Sequence, residues 1–495
     1  MQASVEAVET REVPTADAAP AALQARSEAA PPRLSQRSIE LVGLAVGVGF
    51  IAAVALGHRL SNDEFWSLAA GQWMLDHHRI MGLDPFSYTE AHRRWVTDEW
   101  GSEIALAGLY RAVGTAAYDV YGIVLGGLCL LASAAYARSL GARGGRVVII
   151  VLALSVGIAS VVVGDRGLDF SLVWFPVELL VLAKARTDAR WLLALPPLCL
   201  LWVNTHGSIL LGLVVIALEL AWSWIPARLV ARVHGIGQSA HRRPLVLALA
   251  GSVLASCITP YGPGLLVYDA RVSDNGQIGA YISEWNSPNF HSAGVLIVFL
   301  VPLAVLVACI WVRRLLVLES TLAVVLFVES LRTQRLAVYL MLVTVGLAAS
   351  LPARPAWRTT ARRWAGGGLA VLAIVILATP SVPAGSVAPN LPVRAFDYLG
   401  AHPGRIFTQY TWGDYSIARH RATFVDGRTD LFEGRVLTQF FDVSNLTSNP
   451  DPILRAYHVD YVVWSPHTAL SEYLSRDPGW RVVDRTSVAL VFARR

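Results

Sequence analysis

The stretch RSIELVGLAVGVGFIAAVALGHR, residues 37–59, decides the class of fold. From Ile39 to Gly57 one charged side chain, Glu40, interrupts an apolar run bounded by Arg37 and Arg59. At roughly 1.5 Å of rise per residue, such a run covers most of a hydrocarbon core about 30 Å thick and reads as a membrane-spanning helix. Comparable runs recur at Val147–Gly164, Leu245–Thr259 and Leu369–Ala378, beside clusters of arginine. Across the 495 residues, 54% are hydrophobic and 16% charged, against about 25% charged in soluble domains. The composition argues against a water-soluble enzyme, and a net charge of +5, unevenly placed, argues against nucleic-acid binding.

The fold class expected is mostly α: a polytopic membrane protein of about eleven transmembrane helices. The spans fall near 39–57, 116–136, 147–163, 170–185, 191–203, 208–225, 244–260, 293–312, 315–331, 336–351 and 365–380. Short cytoplasmic loops are enriched in Arg and Lys. With the N-terminus cytoplasmic, Arg138, Arg143 and Arg146, Lys184, Arg186 and Arg190, and Arg228, Arg232, Arg242 and Arg243 all fall inside. So do Arg313, Arg314, Arg354, Arg358, Arg362 and Arg363, while the short outer turns hold Arg166, Arg271, Arg332 and Arg335. Splitting 191–225 into two spans is what keeps the basic loop 226–243 inside.

Three further segments complete the organisation. Residues 1–36, rich in Ala, Pro, Glu, Ser and Thr, are expected to be a disordered cytoplasmic tail, and their acidic start is unlike a signal peptide. Residues 58–115 form an outer loop within the 37–380 transmembrane region. In it Phe65, Leu68, Ala69 and Trp73, and again Trp100, Ile104 and Ala107, share helical faces suited to lying along the membrane surface. Residues 381–495 are expected to be a small extracytoplasmic α/β domain, with strands at 406–409, 423–425, 459–464 and 488–493 and helices at 393–399 and 468–474. The four cysteines are isolated within apolar runs and suggest neither a disulfide framework nor a metal cluster.

With this topology, the polar residues near span boundaries gather on the outer side. The first loop supplies Asp63, Glu64, Asp84, Asp98, Glu99 and Glu103, and the outer turns add Asn204 and His206, Arg166, Arg332 and Arg335, and Glu284. Ionisable groups near hydrocarbon are costly and usually face a cavity or a partner. Each has a plainer alternative: Asp63 as a helix cap, His206 satisfying a tight turn, Arg332 and Arg335 meeting lipid headgroups. Their recurrence on one face points to a site.

These residues also carry a resemblance. NDEFWSLAAGQWMLDHHRIMGLDPFSYT (62–89) with WVTDEW (95–100) resembles the first outer loop of a group of bacterial multi-pass proteins of glycosyltransferase type C architecture. WVNTHG (202–207), TPYG (259–262), SEWNSP (283–288), RTQR (332–335), WGDY (412–415) and DGRTD (426–430) extend the likeness in order over nearly the whole chain. More distantly the layout is similar to oligosaccharyltransferase catalytic subunits and protein mannosyltransferases, which place a catalytic acid in the first outer loop. The group's loop often opens with Asp-x-Asp and carries a His beyond its aromatic pair. Here Ser61 and Ser67 stand at those positions, which weakens the case for a metal-binding Asp-x-Asp.

The chemistry this implies is transfer of a sugar from a polyprenyl-phosphate donor to a glycan, lipid or protein acceptor, with inversion, at a bacterial plasma membrane. Asp63 is the first candidate for the base, with Glu64 and Glu99 next. Arg332, Arg335 and Arg166 suit the departing phosphate. Asn204, His206, Asp98 and Glu284 would position acceptor or base, and a divalent metal (Mg or Mn) on Asp63 with Asp98 or Glu99 is an open option. Trp412, Asp414, Asp426, Arg428 and Asp430 are candidates for acceptor binding, or equally for shaping turns. The alternatives are a transporter or flippase of lipid-linked sugar, drawing on the mid-span acids Glu178 and Glu219, and a non-catalytic scaffold.

Overall fold

The computed structural model describes residues 35–60, 63–159, 167–273, 285–352 and 381–495, together with positions 161, 276 and 367. Nearly all of the expected tail 1–36, the eleventh span 365–380, Arg166 and Glu284 lie outside the described residues.

The apolar runs fold as helices: α1 (Gln36–Ala55), then the loop helices α2 (Glu64–His77) and α3 (Trp100–Val113), then α4 (Ala116–Ser139), α5 (Gly145–Ile158) and α6 (Leu168–Ala185). They continue as α7 (Leu195–Val203), α8 (Ile209–Trp224), α9 (Arg242–Ser256), the short α10 (Gly264–Ser273), α11 (Ala293–Trp311), α12 (Val317–Arg332) and α13 (Ala337–Ser350). Among the described residues, α1, α4 and Gly294–Trp311 of α11 are long and apolar enough to cross a membrane; several others are apolar but shorter. Trp311 is 86% exposed and Leu247 73%, and Leu193 and Leu254 also turn outward. In water this would be an aggregation liability, whereas against lipid tails it is the expected surface.

The loops gather at two ends. At one, the Glu40 carboxylate accepts from the Arg138 guanidinium (2.5 Å) and the Gly144 N–H (2.5 Å). There too Arg186 lies between Glu219 (3.4 Å) and Glu319 (3.1 Å), and the Arg146 guanidinium donates to the Leu351 carbonyl (2.5 Å). A two-residue parallel pairing of 235–236 with 315–316 closes this arginine-rich end. At the other end the Gly101 N–H donates to the Asn204 carbonyl (2.9 Å), the Asn204 amide to Ile258 O (3.1 Å), and the Val382 N–H to Leu56 O (2.9 Å).

The C-terminal segment holds α14 (Val393–Gly400), β1 (Ile406–Thr408), α15 (Tyr410–Ala418), α16 (Arg435–Asn445), β2 (Tyr461–Trp464), α17 (Ala469–Arg476), β3 (Trp480–Arg485) and β4 (Leu490–Arg494). The sheet order is β1-β2-β4-β3, with β1 parallel to β2 and the other pairs antiparallel. Phe407, Phe424, Phe440, Trp464 and Phe492 fill its core. The expected strand at 423–425 is instead an isolated bridge, Thr423 against Ser87 of the first loop. The edge strand β3 escaped the sequence reading because Arg481, Asp484 and Arg485 break its apolar alternation.

The two loop helices pack on each other so closely that a Cβ at Gly71 would sit 2.0 Å from the Glu103 carbonyl oxygen. The loop is tied into the C-terminal segment as well. The Thr89 hydroxyl donates to Phe424 O (2.6 Å) and the Tyr88 hydroxyl to Ile406 O (3.0 Å). Buried Arg428 pairs with Asp84 (2.7 Å) and Asp426 (2.7 Å) while lying over the rings of Phe86 and Trp95.

Candidate active site

Two acid centres form at the end opposite the arginines. The first begins where the chain leaves α1. Asp63 stands at the start of α2, half-buried, and its Oδ1 accepts from the Trp66 indole N–H (3.3 Å) without capping the helix. Across from it Asp414, buried in α15, accepts from the Gly427 N–H (2.7 Å). A Cβ at Gly427 would lie 2.8 Å from Asp63 Oδ1 and 2.9 Å from Asp414 Oδ1, so the missing side chain lets both carboxylates approach. Burial first, then repulsion from Asp63 and Asp426, holds the Asp414 carboxyl well above the usual carboxylate range. A neutral, buried acid beside a more accessible one is how two like groups take different roles.

The second centre is built on the turn after α7. Asn204 ends that helix; its Nδ2 donates to Leu200 O (2.8 Å), and its Oδ1 accepts from the Trp100 indole N–H (3.1 Å). Gly101 must be glycine, because a Cβ there would meet Asn204 O at 2.2 Å. Asn204 therefore fixes the start of α3 and with it Asp98 and Glu99. Tyr261 of the TPYG turn does the same from the other side, its hydroxyl meeting the Thr97 N–H (3.0 Å) and Oγ1 (2.6 Å).

His206 accepts the Ser208 N–H on Nδ1 (3.1 Å), which leaves the ring proton on Nε2, facing Glu99 Oε1 at 3.3 Å. Burial, reinforced by the positive charge of Arg335, pushes its pKa well below the ordinary imidazole value, so the contact is a hydrogen bond from an uncharged imidazole rather than an ion pair. Glu99 also accepts from the Gly167 N–H (3.3 Å). Asp98 and Asp269 of α10 flank Gly207, where a Cβ would meet their carboxylates at 3.1 and 3.0 Å. Burial, then repulsion from Glu99 and Asp430, raises Asp98; burial and then Asp98 raise Asp269 to about 8. Glu103, buried with both oxygens lacking a hydrogen-bond partner among the described residues, is raised for the same reasons. Its neighbourhood keeps it a neutral acid.

The DGRTD turn runs between the two centres. Asp430 accepts from the Tyr268 hydroxyl of α10. Asp426 and Arg428, considered above as acceptor ligands, are wholly buried, with Arg428 paired to both Asp426 and Asp84, and Trp412 is a core residue. Glu64 is likewise buried and bonded to His58 (2.8 Å), which removes it as an accessible base. Arg335 lies over the Trp285 ring (5.2 Å) close enough to act on Asp98 and His206, whereas Arg332 is 78% exposed and pairs with Glu329 (3.7 Å). They are three positions apart, but Thr333 leaves the helix (φ −135°, ψ 117°) and turns Arg335 inward. Asp269 was missed from sequence because VYDA in a short helix gives no local signal.

Among the described residues, no three His, Cys, Asp or Glu side chains stand together as a metal would need. The option of a metal on Asp63 with Asp98 or Glu99 thus finds no such cage among the described residues. Beside Asn204 an apolar groove of about 430 Å³, lined by Trp100, Leu200, Leu201, Ile258 and Pro260, opens at the surface where Leu201 and Ile258 are exposed. A larger cavity of about 730 Å³ lies between α2 and the C-terminal segment, walled by Phe65, Trp73, Tyr110 and Tyr118.

No family model matches the sequence, and no curated protein matches it. Solved structures do. The archaeal oligosaccharyltransferase AglB of Archaeoglobus fulgidus, in complex with an inhibitory peptide and a dolichol-phosphate, superposes with a TM-score of 0.60 at 13% identity, over 86% of this chain and 69% of that one. The same enzyme in complex with zinc and sulfate gives 0.59 at 12% over 86% and 68%. ArnT of Cupriavidus metallidurans, bound to undecaprenyl phosphate, gives 0.54 at 15% identity over 92% of this chain and 97% of its own. The chain is thus distantly similar to glycosyltransferases of type C architecture, a likeness of fold.

Proposed function

We propose that the chain is a multi-pass plasma-membrane glycosyltransferase. It would move a sugar from a polyprenyl-phosphate donor to an acceptor hydroxyl outside the cytoplasm, with the N-terminus cytoplasmic and residues 381–495 forming an extracytoplasmic domain. The observation that carries this is the convergence, at one end of the bundle, of the Asp63–Asp414 pair, the Glu99–His206 pair and Arg335 beside an apolar groove open at the surface. A lipid-linked donor arriving within the bilayer would lay its chain in that groove and bring its phosphate to Arg335. The two solved relatives named with a polyprenol-type phosphate share this fold.

Asp63 takes the proton of the acceptor hydroxyl as the oxygen attacks the anomeric carbon; the bond from that carbon to the phosphate oxygen breaks, and polyprenyl phosphate leaves. Neutral Asp414 adds no second charge beside the base. Arg335 offsets the charge left on the phosphate, an interaction commonly worth about 3 kcal/mol. Attack opposite a departing phosphate inverts the centre. His206 holds Glu99 in place by its Nε2–H, and Asn204 fixes the segment that carries Glu99.

The transporter reading finds less support: of the two mid-span acids it draws on, Glu219 is engaged by Arg186, and Glu178 alone of that pair is buried without a hydrogen-bond partner among the described residues. Membranes containing wild type or Asp63→Ala, supplied with a labelled-sugar polyprenyl phosphate, separate the cases. Donor-dependent product lost in the variant is expected. Equal product from both removes Asp63 as base, and lipid movement across proteoliposomes without transfer favours transport.

A further inference from the structure

A groove of about 580 Å³ lies at the arginine-rich end, between α1, α4 and the start of α5, with Lys184 from the last turn of α6 at its rim. Its walls are apolar: Leu41 and Leu131 are exposed, Leu44 is half-buried, and Ala134 and Val147 form the floor. Its rim is cationic. Arg138 is taken up by Glu40, whose other oxygen accepts the Gly144 N–H, so the one acid in the groove is satisfied. Arg37 and Lys184 have no anionic partner among the described residues; Lys184 rests 3.8 Å above the Trp191 ring. Two uncompensated cations at the mouth of an apolar slot, at the level where spans end, fit a phosphate joined to a hydrocarbon chain.

We infer that this groove binds an anionic glycerophospholipid, with its phosphate between Arg37 and Lys184 and an acyl chain along Leu41, Leu44 and Leu131. Basic pockets between helices on the cytoplasmic side suit such headgroups, and the leaflet facing the arginines is the one rich in anionic lipid. The opposite end, where Arg335 sits, is where a polyprenyl phosphate is needed, so the two lipid phosphates occupy different ends of the protein. The assignment stands whether or not the chain transfers sugar.

The test is lipid retention by the full-length protein, purified from nanodiscs of equal phosphatidylglycerol and phosphatidylcholine and read by native mass spectrometry. Wild type is expected to keep one phosphatidylglycerol. Arg37→Gln and Lys184→Gln each weaken retention about fivefold, and together about thirtyfold. Ala135→Phe, which fills the slot without changing charge, should abolish it. Equal retention of the two lipids, or undiminished retention by the double variant, overturns the inference. Preferential capture of polyprenyl phosphate at equal concentration also overturns it, as does retention that appears only after deletion of residues 1–30, since the acidic tail would then be the occupant.

Discussion

Replacing Arg428 by Met should undock the first loop from the C-terminal segment. The guanidinium is wholly buried and makes three charge-assisted contacts: Nε and Nη2 to Asp426 (2.8 and 2.7 Å) and Nη1 to Asp84 (2.7 Å); the backbone N–H of Arg428 also donates to Asp426 (3.1 Å). Asp84 also orders its own turn through the N–H groups of Phe86 and Ser87, so loss of Arg428 strands two buried carboxylates in a packed interface. Breaking a buried pair in this way costs about 3–5 kcal/mol, and the contacts over Phe86 and Trp95 add to it. For a unit of loop plus C-terminal segment, that corresponds to a melting temperature lower by roughly 6 °C or more. Intrinsic-fluorescence melting in detergent, with proteinase K digestion to detect release of the loop, reads both effects. Arg428→Met combined with Asp84→Asn and Asp426→Asn should recover most of the loss, because no buried charge remains. An unchanged melting temperature for Arg428→Met, or a triple variant weaker than the single, would refute the assigned role.

Two further outcomes follow from the site. Asp269 is raised to about 8 by burial and by Asp98, so its neutral form belongs to the folded state. The stability tied to it is complete below the ordinary carboxylate range near about 4 and is lost as pH rises through about 8. Melting temperature should therefore fall as pH rises from about 5 to about 8 and level off above that, and Asp269→Asn should flatten the fall; an identical slope in both proteins contradicts it. Arg335→Gln should lower the transfer rate about 100-fold, while Arg332→Gln, at an exposed position, leaves it within about twofold; the reverse order would reassign the phosphate contact.

The apolar helices were legible because each extends its signal over many consecutive positions, and the alternation of arginine clusters supplied a topology to expect. That same alternation put Asp98, Glu99, His206 and Arg335 on one side before any contact was known. What stayed hidden depends on distance in sequence or on one turn of backbone. Asp84 and Arg428 are separated by 344 residues, and nothing local in either DPFS or DGRT announces the partner. Glu64 and Asp63 are neighbours, yet the helix beginning between them buries one against His58 and leaves the other near Asp414. Charged strands such as WRVVDR defeat alternation because an edge strand keeps only one side of its pairing covered.

Side-specific labelling tests the central claim most directly. In a chain whose four cysteines are replaced, single cysteines at Ala91 of the first loop, Arg332 beyond α12, Arg481 of β3 and Arg232 at the arginine-rich end would be probed in intact cells with a membrane-impermeant thiol reagent. The account predicts that the first three react from outside and the fourth only after permeabilisation. Reaction of Ala91→Cys and Arg332→Cys from opposite sides would contradict it.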